Sequence, residues 1–313
     1  MAGGRPNVVR VHVRAHAIPL AETWVYGSDT VPEPNLSKAR RGAIALSAVT
    51  FCALAWGLLL GVPSLVTGWL VARGDEQIHH IHDIGWGTFT VAMLGVGIVA
   101  QMSEPERRIA PLQQTLACLA AGGISMGASG ALFIPSHIVL GAAMSAPVAL
   151  ILMLHPARFD AIRPGPFRPA LALVAAAVAV PLLRFAFEQI QIQRVDRYSP
   201  HGVRFHWGTM ATLAIAIVLV MLVASLGAPG WRISAWCAGA ALAIFGLAAV
   251  VFPDYASSVG VRWGAAAIAA GAVFFATAEW ERTRSPVGHP RLVPGLEPRL
   301  TESEITRTIA TEV

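Results

Sequence analysis

Charged side chains are scarce in this chain. They make up 13% of its 313 residues, and Lys38 is the only lysine. A soluble domain carries about 25% charged residues, so the composition argues against a soluble protein. The net charge of +5 does not indicate nucleic-acid binding, because most basic residues flank apolar runs, where membrane topology accounts for them. We therefore expect a lipid bilayer as the main partner, other membrane proteins as further candidates, and no nucleic acid.

Cysteine is also scarce. Cys52, Cys118 and Cys237 form no CxxC pair, and each falls within a predicted helix, so we interpret them as small buried hydrophobic residues. The sequence contains no P-loop, no HExxH motif and no glycine-rich dinucleotide fingerprint after a strand. ATP-driven transport by this chain is therefore not predicted.

Two stretches of the chain resemble each other. Residues 73–88 read R-G-D-E-Q-I-H-H-I-H-D-I-G-W-G-T, and residues 194–209 read R-V-D-R-Y-S-P-H-G-V-R-F-H-W-G-T. Six of the sixteen aligned positions are identical, whereas average composition gives roughly one. Both stretches lead into a long apolar run. We interpret them as traces of a duplication, in which His80 corresponds to His201.

Apolar runs near the ~20 residues needed to cross a bilayer predict eight transmembrane helices. We place them at residues 43–71, 84–101, 112–134, 137–154, 170–190, 206–226, 233–252 and 260–280. The predicted fold is an all-α integral membrane protein made of two fused, parallel four-helix repeats. These repeats span 42–155 and 170–280, joined by a proline-rich linker at 156–169, with tails at 1–41 and 281–313. Gly123 and Gly127, four residues apart, predict close helix packing.

The basic residues of the short loops predict the orientation. We expect the loops richest in arginine to be cytoplasmic, together with both termini, in a multi-pass protein of the cell membrane. Those loops contain Lys38, Arg40, Arg41, Arg107, Arg108, Arg158, Arg163, Arg168, Arg232, Arg282 and Arg284. Six histidines then lie at the outer face: His79, His80, His82, His137, His201 and His206. This asymmetry indicates a functional site at that face.

The histidines near the second helix have the spacing of a metal site. If that helix begins early, four residues at i, i+3, i+4 and i+7 lie on one of its faces. They are Glu76, His79, His80 and Asp83. His82 shares the face of His79, and His137 opens the fourth helix at the same depth. Imidazole is the commonest metal ligand and also ligates haem iron. We predict that His79, His80 and His137 bind a haem or a transition-metal ion, with His137 approaching His79 or His80 and with Glu76 and Asp83 orienting the ligands.

The second half supplies mainly charged residues at the same face. We predict that Asp196, His201 and Arg204 form a polar wall for substrate or haem propionates. Ionisable residues at membrane depth are functional candidates by default. The further candidates are His206, Asp254, Arg262 and an ion pair between Arg184 and Glu188.

One family shares this pattern in part. The segment Glu76-Gln77-Ile78-His79 at the start of an even-numbered helix, with His137 opening the fourth, resembles haem A synthase. The resemblance implies eight helices in two four-helix halves, with haem-ligating histidines toward the outer face. The four-helix haem proteins of the cytochrome b561 type are similar to the same extent. The chain lacks the family's cysteine pair and has Arg262 rather than a histidine in its eighth helix, so a second bis-histidine site is not implied.

Three functions remain open at this point. The first is a haem- or metal-binding, redox-active membrane protein with its site at the outer face. The second is a secondary transporter or permease whose charged outer residues form a gate. The third is a structural subunit of a membrane complex. No catalytic residue is predicted, and the choice between enzyme and transporter stays open.

Overall fold

A computed structural model describes residues 36–58, 61–70, 79–159 and 162–284. This part of the chain is helical and contains no strand. Its main helices are α1 (Lys38–Cys52), α2 (Gly61–Thr67), α3 (His80–Met102), α4 (Ile109–Ser129), α5 (Pro135–Leu154), α6 (Pro169–Val195), α7 (His206–Ser225), α8 (Trp231–Val251) and α9 (Gly260–Arg284). Glu76, residues 1–35 of the predicted N-terminal tail and residues 285–313 of the C-terminal tail lie outside the described residues.

Six of these helices are long and apolar enough to cross a membrane: α3, α5, α6, α7, α8 and α9. The helical segment that starts with α1 would form a seventh span together with α2, from which it is bent by 40°. Helix α4 is 21 residues long but is not among the six, because Gln113, Gln114 and Thr115 lower its apolar character. The chain is therefore an all-helical protein with six candidate spans, as expected of a polytopic membrane protein, whereas the eight predicted spans stay a prediction.

Helix α7 lies at the centre of the bundle. It is apolar around its whole circumference and is buried along most of its length, as expected of a helix enclosed by others. Helix α5 is nearly as apolar as α7, and α9 is less apolar, but both expose most of their surface, including Leu150, Met153 and Val273. Such exposed apolar surface is appropriate for a helix that faces lipid.

The helices of the two halves pack in the same order. Helices α2 to α5 follow one another as neighbours, with α5 returning to α1, and α6 to α9 do the same, with α9 returning to α6. Helices α3 and α4 of the first half pack against α7 and α8 of the second. The duplication and the parallel symmetry of the repeats stay predictions.

Helices α3, α5, α7 and α9 all begin at one end of the bundle, where α4, α6 and α8 end. We refer to it as the histidine end, because the six predicted histidines and the connection that follows α8 lie there. One contact that sets this arrangement lies between Gly85 on α3 and Met210 on α7. A Cβ atom at Gly85 would lie 2.5 Å from the Met210 sulfur, so the missing side chain lets α3 approach α7 closely.

Candidate metal centre

Three histidines converge at the histidine end. One possible ligand atom from each of His79, His201 and His206 lies within 4.8 Å of the other two, and each residue is half-buried. Their ring centroids are 5.2 Å (His79–His201), 4.9 Å (His79–His206) and 5.5 Å (His201–His206) apart. No other group of three histidine, cysteine, aspartate or glutamate side chains meets this distance within the described part of the chain.

The separation within one pair is close to that of two metal ligands. The Nδ1 atoms of His201 and His206 are 3.4 Å apart. Two imidazoles on a tetrahedral ion, with bonds of about 2.0–2.1 Å, hold their nitrogens about 3.3 Å apart. The same distance also suits a weak hydrogen bond between two neutral rings. One nitrogen of His79 lies within 4.8 Å of both, at most about 1.5 Å beyond the separation of two ligands on one ion.

The loop between α6 and α7 is fixed by buried hydrogen bonds. The Gln193 side chain, on α6, donates to the Gly202 carbonyl (2.8 Å) and accepts from the Gly208 backbone N–H (3.1 Å). Gln193 is fully buried. The Ser199 hydroxyl caps the helical turn Pro200–Val203 by accepting from the Gly202 N–H at 3.0 Å. Gln193 therefore holds both sides of the segment that carries His201 and His206.

A left-handed residue separates that turn from α7. Phe205 has φ = +61°, a conformation that costs a non-glycine residue about 1–3 kcal/mol. Its carbonyl accepts from the Thr209 N–H (2.8 Å) and starts the new helix. The left-handed residue changes the direction of the chain immediately before His206, whose Nδ1 lies 3.4 Å from that of His201.

Asp196 supplies a negative charge beside the histidines. Its Oδ2 accepts hydrogen bonds from the Ser199 hydroxyl (2.7 Å) and from the Trp207 indole N–H (3.1 Å). These bonds, the one from Ser199 first, hold the pKa of the Asp196 carboxyl below its ordinary value, and the nearby His201 acts in the same direction. The carboxylate therefore stays ionised and favours a cation at His201.

His82 packs behind the group. Its ring stacks on His206 (5.0 Å, 18° between planes) and meets the edge of Trp207 (4.9 Å). Its Nε2 lies 2.9 Å from the Ser257 hydroxyl, which itself donates to Gln189 Oε1 at 2.6 Å. Because the single hydroxyl proton is donated to Gln189, Ser257 accepts from Nε2–H of His82. Ser257 also has a left-handed backbone, φ = +63°.

Two of the predicted ligands lie elsewhere at this end. The Nδ1–H of His80 donates to the Gly68 carbonyl (2.7 Å), and its ring stacks on Phe252 (5.0 Å). His137 is buried, with Nε2 2.9 Å from the Val203 carbonyl oxygen and Nδ1 3.3 Å from that of Ala131. The predicted grouping of His79, His80 and His137 is therefore not the one that the described residues form, and His137 approaches the α6–α7 loop instead.

The predicted charged residues divide into inner and outer positions. Asp83 interacts electrostatically with His80 and with Arg204, although Arg204 itself is exposed. The Arg184–Glu188 ion pair is formed, with Nε and Oε1 3.0 Å apart, but both side chains are exposed on the outer surface of α6. Asp254 and Arg262 are also exposed. None of these six charged residues belongs to the three-histidine group.

Several residues that support the group were not singled out from the sequence. Ser257 is a polar residue in a loop, a pattern too common to indicate a role. Trp207 was recognisable as one of the repeated positions, but its bond to Asp196 was not. Polar residues inside apolar helices, such as Gln189 and Gln193, were the one available signal.

Residues 123–127 spell G-x-S-x-G, the pattern of a hydrolase nucleophile elbow. The structure gives it another role, because it lies inside α4 and not at a strand-to-helix turn. Ser125 is fully buried, and its hydroxyl donates to the Gly208 carbonyl at 2.8 Å. Ser125 therefore links α4 to the start of α7.

Comparisons with known proteins assign no family to the chain. No family model, no curated protein and no solved structure matches it.

Proposed function

We propose that this chain is a polytopic membrane protein that binds one divalent transition-metal ion through His79, His201 and His206. The observation that carries the proposal is the convergence of three imidazole nitrogens within 4.8 Å from two regions of the sequence, of which the one with His79 lies more than 120 residues before the one with His201 and His206. Imidazole suits zinc, copper, iron and nickel. Helix α3 of the first half and the α6–α7 loop of the second both contribute, so the site requires the two halves to be packed together.

The proposed site leaves one coordination position open. Three protein ligands and a vacant position are typical of catalytic zinc, whereas structural zinc has four protein ligands. Three neutral imidazoles leave the full charge of the ion in place, so that it acts as a Lewis acid on a bound water or substrate. The hydrogen bond between Trp207 and Asp196 fixes the segment around His201. Carboxylates often have such a positioning role near metal ligands.

A single ion fits these histidines better than haem. Two axial haem ligands need nitrogens about 4 Å apart, because each bond is ~2 Å, as for zinc. His201 and His206 are closer, at 3.4 Å, and the three rings lie 4.9–5.5 Å from one another. A porphyrin has no room between any two of them. The haem ligation that the resemblance to haem A synthase implies is therefore not part of this proposal.

The test compares two sets of variants. Metal bound to the purified protein is measured by elemental analysis after incubation with zinc or copper and removal of the excess. His201→Gln and His206→Gln should lose the ion. His80→Gln and His137→Gln keep a hydrogen-bonding side chain in the same end of the bundle and should retain it. The reverse pattern would support the grouping predicted from sequence. If neither the wild type nor any variant binds metal stoichiometrically, the proposal is wrong.

A further inference from the structure

A cavity of about 370 Å³ opens between α3, α4, α5 and α7. Its wall includes Trp86 and Phe89 from α3, Met126 from α4, His137 from α5, and Phe205 with Thr209 from the start of α7. On α5 it extends from His137 to Ser145, about 12 Å along the helix axis at the usual rise of 1.5 Å per residue. Its volume lies in the range of small-molecule sites, about 300–1,000 Å³.

The glycines of α4 keep this cavity open and do not close it. Gly123 and Gly127 were predicted to pack against another helix. A Cβ atom added at Gly123 would meet nothing within 4 Å, and one at Gly127 would reach only the Leu132 side chain at 3.8 Å. On the facing wall, a Cβ at Gly141 would reach only the flexible end of Met126 at 3.9 Å. The predicted close packing is therefore absent at Gly123 and Gly127.

Three polar side chains along the wall make hydrogen bonds within the protein. Thr209 donates its hydroxyl to the Phe205 carbonyl (2.9 Å), and Thr212 donates to that of Gly208 (2.8 Å). His137 Nε2 lies 2.9 Å from the Val203 carbonyl oxygen. Most of the other residues of the wall are apolar, and an apolar cavity does not hold ordered water. An apolar occupant therefore suits this cavity, and the surrounding bilayer supplies hydrocarbon chains.

We propose that this cavity binds a hydrocarbon chain of a membrane lipid, with the polar end of that lipid at the histidine end. Phe205 lines the cavity, and the next residue, His206, belongs to the three-histidine group. A lipid held in this way has its head group beside the proposed metal ion, which makes lipids the substrate class of that site. The binding of the hydrocarbon chain is argued from the cavity alone, whereas the role of the lipid head group rests on the proposed function.

The test uses a phospholipid with a photoactivatable diazirine in its acyl chain, incorporated into nanodiscs of phosphatidylethanolamine and phosphatidylglycerol with the full-length protein. Gly123→Leu and Gly141→Leu each place a side chain in the cavity from opposite walls. Gly42→Leu is the matched control, because a Cβ there also meets nothing within 4 Å but lies on α1. Crosslinks are mapped by mass spectrometry, with the lipid-facing residues Val273 and Phe275 on α9 as internal reference.

Relative to that reference, the wild type and Gly42→Leu should label residues of the cavity wall. Either filled variant should label them about tenfold less, equivalent to about 1.4 kcal/mol of lost binding. Equal labelling of the wall in all four proteins would overturn the inference, and so would wall labelling no higher than that of α9 in the wild type. His206→Gln is labelled in the same way as a fifth protein, and bound metal is measured on all five samples. Loss of metal in His206→Gln with unchanged wall labelling separates the lipid site from the metal site.

Discussion

Replacement of Gln193 by methionine tests how the α6–α7 loop positions the histidines. Methionine has a similar length but can neither donate to the Gly202 carbonyl nor accept from the Gly208 N–H, the two bonds that Gln193 makes at 2.8 and 3.1 Å. Both glycines are buried. Each buried backbone group left without its partner costs about 1–3 kcal/mol, so the variant should lose about 2–6 kcal/mol of unfolding free energy, toward the lower value if the loop relaxes.

The same variant should also bind metal less tightly. Loss of groups that orient metal ligands typically lowers affinity about 10–100-fold. The assay is competition with a chelator of known affinity, alongside thermal unfolding in detergent without metal. Gln101→Met is the matched control, because Gln101 is equally buried and donates to two carbonyls, those of Gly97 (3.1 Å) and Arg108 (3.2 Å), at the opposite end of α3.

The control should unfold more easily but keep the wild-type metal affinity. If Gln193→Met binds metal as tightly as the wild type does, the loop does not position the ligands. If both variants lose affinity equally, the effect reflects general destabilisation and the reasoning fails.

Three further outcomes follow from the same contacts. Ser199 and Trp207 lower the pKa of Asp196, so the ionised carboxylate stabilises the fold above the unfolded pKa of about 3.9. This stabilisation is lost as the pH falls through the lower folded pKa. Unfolding curves of the wild type and of Asp196→Asn should therefore differ at pH 6 and converge in acid. Ser257→Ala removes the hydroxyl bonded to His82 and should lower the free energy of unfolding by about 1–3 kcal/mol. Ser257→Gly should lower it less, because glycine tolerates φ = +63°. Equal losses in the two variants would argue against backbone strain. Bound metal should be released as the pH falls below about 6, because imidazole ligands must be neutral, and retention at pH 4 in equilibrium dialysis would point to other ligands.

Much of the fold follows from local sequence. Runs of apolar residues predicted helix positions that agree with α3 and α5 to α9 within a few residues, because one long helix satisfies every backbone group of a membrane segment by itself. The first predicted helix is different, since α1 gives way to π-helical turns at Ala53–Leu58 and to the separate α2. Prolines and glycines near this break, such as Gly57 and Pro63, lower helix stability. The prediction rested on apolar runs alone and did not take these residues into account.

The site was predictable only where helical geometry decides it. His79 and His82 are three residues apart and share a face, and both contact His206, at 4.9 and 5.0 Å. His80 was assigned to the same face, but successive helical residues point about 100° apart, and His80 turns toward Gly68 and Phe252. The contributions of His201 and His206 depend on the left-handed turn at Phe205 and on packing between the two halves, which spacing along the chain does not encode.

X-ray absorption spectroscopy of the metal-loaded protein tests the three-histidine site most directly. The account predicts three imidazole nitrogens at about 2.0–2.1 Å from a single ion, with one further light ligand at the open position. In His206→Gln the imidazole signal should fall by one third or vanish with the metal. A first shell without imidazole, or one with sulfur at about 2.3 Å from Cys52, Cys118 or Cys237, would contradict the proposed centre.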